Sequence, residues 1–334
     1  MDLVKHLVGR VEHRQDPLLG TWTRINPDRA RRPKQTGSAD PWGELDALVR
    51  KTRPGCPFCP ENRDRETPVF EEVFIREKRL RRGEVVLFPN KNPYGENHCV
   101  AILSHEHFIP MDRYDDGPLV ESVQLSQEFF QAVHAARPEC RYPVYVWNFL
   151  PPSAGSIVHP HVQILLESRP APVVETLAVL SRRWNESKGE SFWQSLAAHE
   201  FSLGERSVWR GDGAAVLASF APRGFREILV ILEDSGSLAD LALPRVKAFS
   251  RVLVRLLKAY HSMGVGSFNL VTYSTPMGEE DPAFPFHAKL ISRPFPSGVY
   301  TNDTGFFERM YDLWVIDTLP EDVARLTRPF FEPS

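Results

Sequence analysis

Asn148-Phe149-Leu150-Pro151-Pro152-Ser153-Ala154-Gly155-Ser156-Ile157-Val158-His159-Pro160-His161-Val162-Gln163 is the stretch from which the rest of the chain can be read. A Pro/Ser/Gly loop runs into two histidines around a proline, and an apolar strand follows over 162–166. Side chains alternate along a strand, so His159, His161 and Gln163 face one way and Pro160 and Val162 the other. Proline fixes the local backbone and lacks a donor, which suits the start of a strand. Three polar groups on one face of an apolar strand need partners if they are buried. The plain reading is a pair of satisfied structural histidines. The sharper one is a reactive centre, because imidazole is a good nucleophile toward phosphorus and the loop can supply donors around phosphoryl oxygens. Ser156 is the hydroxyl nearest the histidines, Gly155 can take a positive φ, and Ser153 fits simple turn chemistry.

Working outward, β-prone apolar runs at 85–88 and 99–103 flank the turn-like Pro89-Asn90-Lys91-Asn92-Pro93-Tyr94-Gly95. Helical spacing follows over 119–136, then a strand at 144–147. The second half repeats the order: strands at 214–219 and 228–232, a helix over Leu243–Ser262 striped with Val246, Phe249, Leu253, Leu256 and Tyr260, and strands at 268–271 and 288–291. This order, given twice, predicts an α+β fold of two similar halves with antiparallel sheets and packed helices, a duplicated unit. The division is expected near 195, giving halves 1–195 and 196–334, with a helical segment over 175–193 bridging them. The region 16–60 reads as loops, with one short helix near 41–50.

The composition is that of a globular chain, with 42% hydrophobic and 25% charged residues. A formal net charge of −3 gives no global field for nucleic acid. The basic stretch Arg24, Arg29, Arg31, Arg32 and Lys34 reads first as a solvated arm. With no signal-like apolar core and no membrane-length apolar window, a cytoplasmic location is expected, without a membrane partner. Of four cysteines, Cys56 and Cys59 stand as Cys-x-x-Cys between prolines, a zinc spacing more than a redox one. His105, His107 and His159 are candidates for the remaining ligands. A site of Cys56, Cys59, His107 and His159 would tie the N-terminal loop to two strands. Exposed turn histidines and free thiols are the bland alternative.

Several motifs, in order, resemble the galactose-1-phosphate uridylyltransferase family of the histidine triad superfamily. They are Arg14-Gln15-Asp16-Pro17-Leu18-Leu19-Gly20-Thr21-Trp22, Pro27-Asp28-Arg29-Ala30-Arg31-Arg32-Pro33, Cys56-Pro57-Phe58-Cys59-Pro60-Glu61-Asn62, Phe88-Pro89-Asn90-Lys91 and His159-Pro160-His161-Val162-Gln163. The resemblance implies two histidine-triad-like halves, a homodimer and one Zn2+ per chain on Cys56, Cys59, His107 and His159. It makes His161 the nucleophile. Gln163 and Ser156 would contact phosphoryl oxygens, and Asn148 would orient the loop. Arg29 and Arg32 would lie near the nucleotide, with Phe58 and Asn90 lining the nucleoside pocket. A glutamine at 163 cannot act as an acid near neutral pH, which fits transfer between phosphates. The implied reaction moves a nucleoside monophosphate, UMP in the family, from a nucleoside-diphosphate sugar to a sugar 1-phosphate by double displacement. A phosphorylase using inorganic phosphate, or a zinc-stabilised nucleotide-binding protein without turnover, is the alternative.

Two departures stand out. In Phe286-His287-Ala288-Lys289-Leu290, Lys289 replaces the second histidine of the family's second metal site, so that metal is expected to be absent; a strand lysine facing solvent is the commoner reading of Lys289. In Thr304-Gly305-Phe306-Phe307-Glu308, Phe307 stands where the family has a sugar-binding acid, with Glu308 as a substitute one residue on.

Overall fold

Residues 1–32, 38–72, 75–297 and 302–332 are described by the computed structural model, so Lys34 of the basic stretch and Pro33 beside it lie outside the described residues. The chain opens with β1 (Lys5–Val8), β2 (Val11–Gln15), β3 (Trp22–Ile25), α1 (Pro41–Thr52) and α2 (Pro60–Glu66). A first unit follows: β4 (Leu80–Arg82), β5 (Val85–Pro89), β6 (His98–Ile102), α3 (Asp116–Ala136), β7 (Tyr142–Phe149) and β8 (His161–Glu167). Helices α4 (Pro172–Lys188) and α5 (Phe192–Leu203) lead to a second unit of β9 (Ser207–Gly211), β10 (Ala214–Ala218), β11 (Phe225–Leu232), α6 (Leu243–Ser262), β12 (Ser267–Tyr273) and β13 (His287–Arg293). The chain then forms α7 (Phe306–Tyr311), β14 (Trp314–Ile316) and α8 (Pro320–Thr327).

Ten strands make one antiparallel sheet in the order β4-β5-β6-β8-β7-β12-β13-β11-β10-β9. Counted outward from the β7–β12 junction, the two units have the same strand order, and each places its long helix between its third and fourth strands. The fold is therefore α+β and duplicated, as the order of elements predicts. The units span 80–167 and 207–293, and the sequence division at 195 falls inside α5.

Strand alternation sends each unit's apolar residues to both faces. Val85, Leu87, Ala214 and Val216 join the core under α3 and α6, where Val246, Phe249, Leu253, Leu256 and Tyr260 are buried. The opposite face is covered differently in the two units. In the first, Val86, Phe88, Val100 and Ile102 pack under Cys56, Phe58 and Cys59. In the second, Ala215, Leu217, Leu229 and Ile231 pack under Leu177, Phe192, Trp193 and Leu196 of α4 and α5.

The loop reading of 16–60 fails at β3. β1, β2, β3 and β14 form a second sheet, with β14 parallel to β3. Arg14 anchors it: the buried guanidinium donates to Glu12, to Glu321 of α8 (3.0 Å) and to the Phe220 carbonyl (3.2 Å). Among the described residues, no helix is long and apolar enough to cross a membrane.

Candidate active site

Cys56, Cys59, His107 and His159 converge, all buried, with their ligand atoms within 4.8 Å of one another. Cys59 Sγ lies 3.5 Å from His107 Nδ1 and 3.6 Å from His159 Nδ1, and Cys56 Sγ lies 3.9 Å from His159 Nδ1. Tetrahedral zinc with ordinary Zn–S and Zn–N bonds sets sulfur–nitrogen edges of roughly 3.6 Å, so the donor set fits that ion. Outer partners fix both rings: His159 Nε2 donates to the Ser104 carbonyl (2.8 Å), and His107 Nε2 lies 3.0 Å from Thr52 Oγ1 of α1. That leaves each Nδ1 free for a metal. Burial, then Cys56 beside it, raises the Cys59 thiol to about 12, and burial lowers His159 to about 4. Burial of this kind makes a thiol inert rather than reactive. Cys59 does cap a helix, α2, but no strand leads into it. His105 is exposed and sits beside Arg63, outside the group.

His161 opens β8, two residues beyond His159, and is 7% exposed. Its Nδ1 donates to the His159 carbonyl at 2.7 Å, which leaves Nε2 as the lone-pair nitrogen. Burial lowers its pKa, and the bond to His159 only partly opposes this, so the ring is neutral. Phe58 stands edge-on to His161 at 5.3 Å and to Phe88 at 5.7 Å.

Gln163 lies on the same face, and its Oε1 is taken from behind. Tyr94 Oη donates at 2.7 Å and His98 Nε2 at 2.9 Å. Asn90 Nδ2 also lies 3.1 Å from His98 Nε2, a contact that asks for the other tautomer. The Tyr94 N–H directed at His98 Nδ1 (3.4 Å) decides for Nε2–H. Gln163 can then offer a ligand only its N–H2. The sequence reading passed over Tyr94 and His98. Alternation along β6 carries the signal, because His98 shares the face of Val100 and Ile102.

The loop from 148 to 156 corrects one expectation. Gly155 does not have a positive φ; Leu150 (φ 70, ψ 165) and Ala154 (φ 69, ψ 18) do. Such conformations cost on the order of 1–3 kcal/mol each and persist where the surroundings enforce them. Gly155 is instead required by space, since a Cβ there would lie 2.6 Å from the Asn148 carbonyl oxygen. Ser153 Oγ donates to the Leu150 carbonyl at 2.7 Å, which is turn chemistry, while Ser156 is exposed beside the histidines. Asn148 Oδ1 accepts from Asn269 of β12 at 2.7 Å.

Arg29 and Arg32 are exposed at the 3-10 turn after β3, and among the described residues no side-chain bond joins them to the His161 strand. Glu308 is committed elsewhere: it accepts from the Gly305 N–H (2.8 Å) and the Val315 N–H (3.2 Å), closing the start of α7. Phe307 lies under Arg24 at 5.2 Å.

The second unit carries a register-equivalent set. Gln163 lies between Val100 and Val146, and Lys289 lies between Leu229 and Val271. His161 and His287, two residues earlier, therefore correspond. His287 Nδ1 lies 2.9 Å from the Pro285 carbonyl, as His161 Nδ1 does from that of His159. Here the face is sealed: His287 stacks on Tyr273 (4.6 Å) and Trp193 (3.9 Å), its Nε2 is buried without a partner, and burial lowers its pKa to about 3. Lys289 does not face solvent as expected. Its Nζ pairs with Glu227 at 2.8 Å; burial alone would lower its pKa, but that carboxylate outweighs burial and holds the ammonium charged.

A duplicated antiparallel α+β sheet with one buried histidine centre on an interior strand, beside a Cys2His2 group, defines the class. No family model matches the chain. A protein of Archaeoglobus fulgidus described as uncharacterized is 29% identical over 337 residues, covering 98% of this chain and 96% of that one. An ADP-glucose phosphorylase from Arabidopsis thaliana, solved with bound ADP-glucose, is 18% identical with a TM-score of 0.72, covering 97% of this chain and 99% of that one. A uridylyltransferase structure is 17% identical with a TM-score of 0.68, covering 95% and 98%. At these identities the likeness establishes a shared fold over nearly the whole length of each chain.

Proposed function

We propose that this chain is a nucleotidyltransferase of the galactose-1-phosphate uridylyltransferase type. It moves a nucleoside monophosphate from a nucleoside-diphosphate sugar to a sugar 1-phosphate through a covalent intermediate on His161. The observation that carries the reading is the His161 ring, buried, with Nδ1 bonded to a carbonyl 2.7 Å away and Nε2 left for attack. Nε2 would form a bond to the α-phosphorus as the bond to the bridging oxygen breaks, releasing the sugar 1-phosphate as an anion that needs no proton. The His159 carbonyl would stabilise the charge on the imidazolium side. A phosphate oxygen of the acceptor would then attack phosphorus and return His161 to its free form. Gln163, Asn148 and Ser156 supply donors for the non-bridging oxygens, and fixed donors in a buried site are worth more than in water. Zinc on Cys56, Cys59, His107 and His159 would be structural, since four protein ligands leave no open position. Phe58 and Asn90 would line the nucleoside side.

Discharge by inorganic phosphate is the second reading. It is favoured by the fold shared with an ADP-glucose phosphorylase and by the commitment of Glu308 to its helix end, which removes the substitute acid for sugar hydroxyls. Intact-protein mass spectra after exposure to UDP-, ADP-, GDP- and dTDP-sugars test both readings. An adduct of one nucleotidyl group, absent in His161→Ala, supports the covalent route. Discharge by sugar 1-phosphates or by inorganic phosphate then separates the two acceptors. An adduct that persists in His161→Ala rules the mechanism out.

A further inference from the structure

We propose that Asn269, on the second unit, is a positioning residue for the His161 site and that Arg293 and Asp303 hold it in place. The inference rests on the nucleotidyl-transfer reading for its rate effect but not for its structural effect. Asn269 sits opposite Asn148 across the β7–β12 junction and opposite Ile291 on β13. Its Nδ2 donates twice, to Asn148 Oδ1 (2.7 Å) and to the Ser153 carbonyl (2.9 Å). Its Oδ1 accepts from Arg293 Nη1 at 2.8 Å. Arg293 in turn grips Asp303 with a fork, Nε to Oδ2 at 2.9 Å and Nη2 to Oδ1 at 2.7 Å. A cation at one end and two acceptors at the other fix which way the Asn269 amide points.

Two consequences reach the site. The first concerns polarity. Asn148 Oδ1 accepts from Asn269, and among the described residues no protein acceptor takes its N–H2, so the Asn148 amide keeps its donors for a ligand. Gln163 is in the same condition through Tyr94 and His98. Both side-chain amides beside His161 are thus committed as donors, the right sense for an anionic phosphoryl group and the wrong one for a donor ligand. The second concerns the loop. Leu150 and Ala154 hold left-handed conformations that neither residue favours, and the Asn269 bond to the Ser153 carbonyl lies between them in sequence. Without that tie the loop has an easier path to relaxed φ values, and the Asn148 amide is free to turn over.

The diagnostic variant is Asn269→Asp. It keeps the size and strengthens the pairing with Arg293, but it sets an acceptor against Asn148 Oδ1 and the Ser153 carbonyl. Two readouts are taken on the zinc-replete protein. One is deuterium exchange of the 149–158 backbone. The other is the rate of His161 nucleotidylation at saturating nucleoside-diphosphate sugar, alongside its half-saturating concentration. The expected result is faster loop exchange and a saturated rate about 100-fold lower, the scale of a misplacement near 1 Å, with little change in half-saturation. Wild-type exchange and rate in Asn269→Asp overturn the proposal. If this variant does not fold, Asp303→Asn at the far end of the relay should shift both readouts in the same direction by less, and its being wild type in both overturns the proposal equally. If the wild-type protein forms no adduct with any donor, the nucleotidyl-transfer reading fails. Loop exchange then decides the positioning role alone, faster in Asn269→Asp upholding it and unchanged exchange refuting it.

Discussion

Gly155→Ala should disable the site while leaving the metal group intact. The methyl would meet the Asn148 carbonyl oxygen at 2.6 Å, the Leu150 carbonyl oxygen at 3.0 Å and the Leu150 carbonyl carbon at 3.3 Å. All three are backbone atoms, so no side chain can swing aside. Ordinary contact begins at 3.4 Å, and the Asn148 carbonyl must retreat by about 0.8 Å in an interior with few voids to absorb it. Overpacking of this kind costs about 1–3 kcal/mol of stability. The larger effect falls on chemistry, because Asn148 and Ser156 ride on the displaced backbone. A shift near 1 Å in groups that position a phosphoryl centre lowers the rate by about 100-fold. The metal ligands are held from other elements, by Ser104 and Thr52, and should retain their ion. The assay pairs urea unfolding with the rate of nucleotidylation of His161 and metal content by elemental analysis. A variant with wild-type stability and wild-type rate would refute the close-packing argument; loss of metal would show that the loop and the metal group are one unit.

Other consequences can be checked with the same protein. Cys59→Ala should take zinc from one ion per chain to none and unfold the segment around α2, since structural zinc contributes about 10 kcal/mol or more; full zinc occupancy by elemental analysis would contradict the Cys2His2 assignment. Tyr94→Phe removes one of the two donors to Gln163 and should slow nucleotidylation by about 3- to 10-fold, the worth of one hydrogen bond, and an unchanged rate would mean that Gln163 is oriented without Tyr94. Lys289→Ala leaves the Glu227 carboxylate buried without its cation and should cost about 3–5 kcal/mol in urea unfolding, whereas Lys289→Met with Glu227→Gln should cost far less; equal losses would argue against the ion pair. Burial alone would raise the Glu321 carboxyl, but Arg14 and Arg206 outweigh it and hold it at about 2 against an ordinary 4.5. Its contribution is therefore present above pH 4.5 and lost as the pH falls toward 2, and Glu321→Gln should flatten thermal stability across that window.

Local signals were legible wherever the burial of an element is decided by its own sequence. The stripe from Val246 to Tyr260 gives α6 with the same limits, Leu243–Ser262, as the structure. The strands were read one to three residues short at most ends, because Tyr142, Glu167 and Arg293 are not apolar and their pairing comes from neighbours. The N-terminal sheet was missed for a physical reason. Val11–Gln15 is a polar pentapeptide, and its buried residue, Arg14, is satisfied by Glu321, 307 positions away. The same limit applies at the site. Spacing and alternation find His159, His161 and Gln163. They cannot reveal that the Asn148 carbonyl lies against Gly155, or that Glu227 waits beside Lys289 across 62 residues.

The duplication explains why one histidine is open to a ligand and its counterpart is not. Both units place a histidine at the start of the equivalent strand, and both fix Nδ1 on the carbonyl two residues back. What differs is the cover. Over the first unit lies a short turn whose Cys56 and Cys59 converge with His107 and His159, small enough to leave Gln163 and Ser156 accessible. Over the second lie α4 and α5, which bring Trp193 against His287 at 3.9 Å and bury its Nε2 where no anion can reach it. A nucleophile needs a lone pair, a path for the electrophile and donors for the charge that develops. His287 keeps the first and has lost the second, and at the position of Gln163 it has Lys289 tied to a carboxylate. The second unit still touches the first at the junction strand, where Asn269 Nδ2 donates to Asn148 Oδ1.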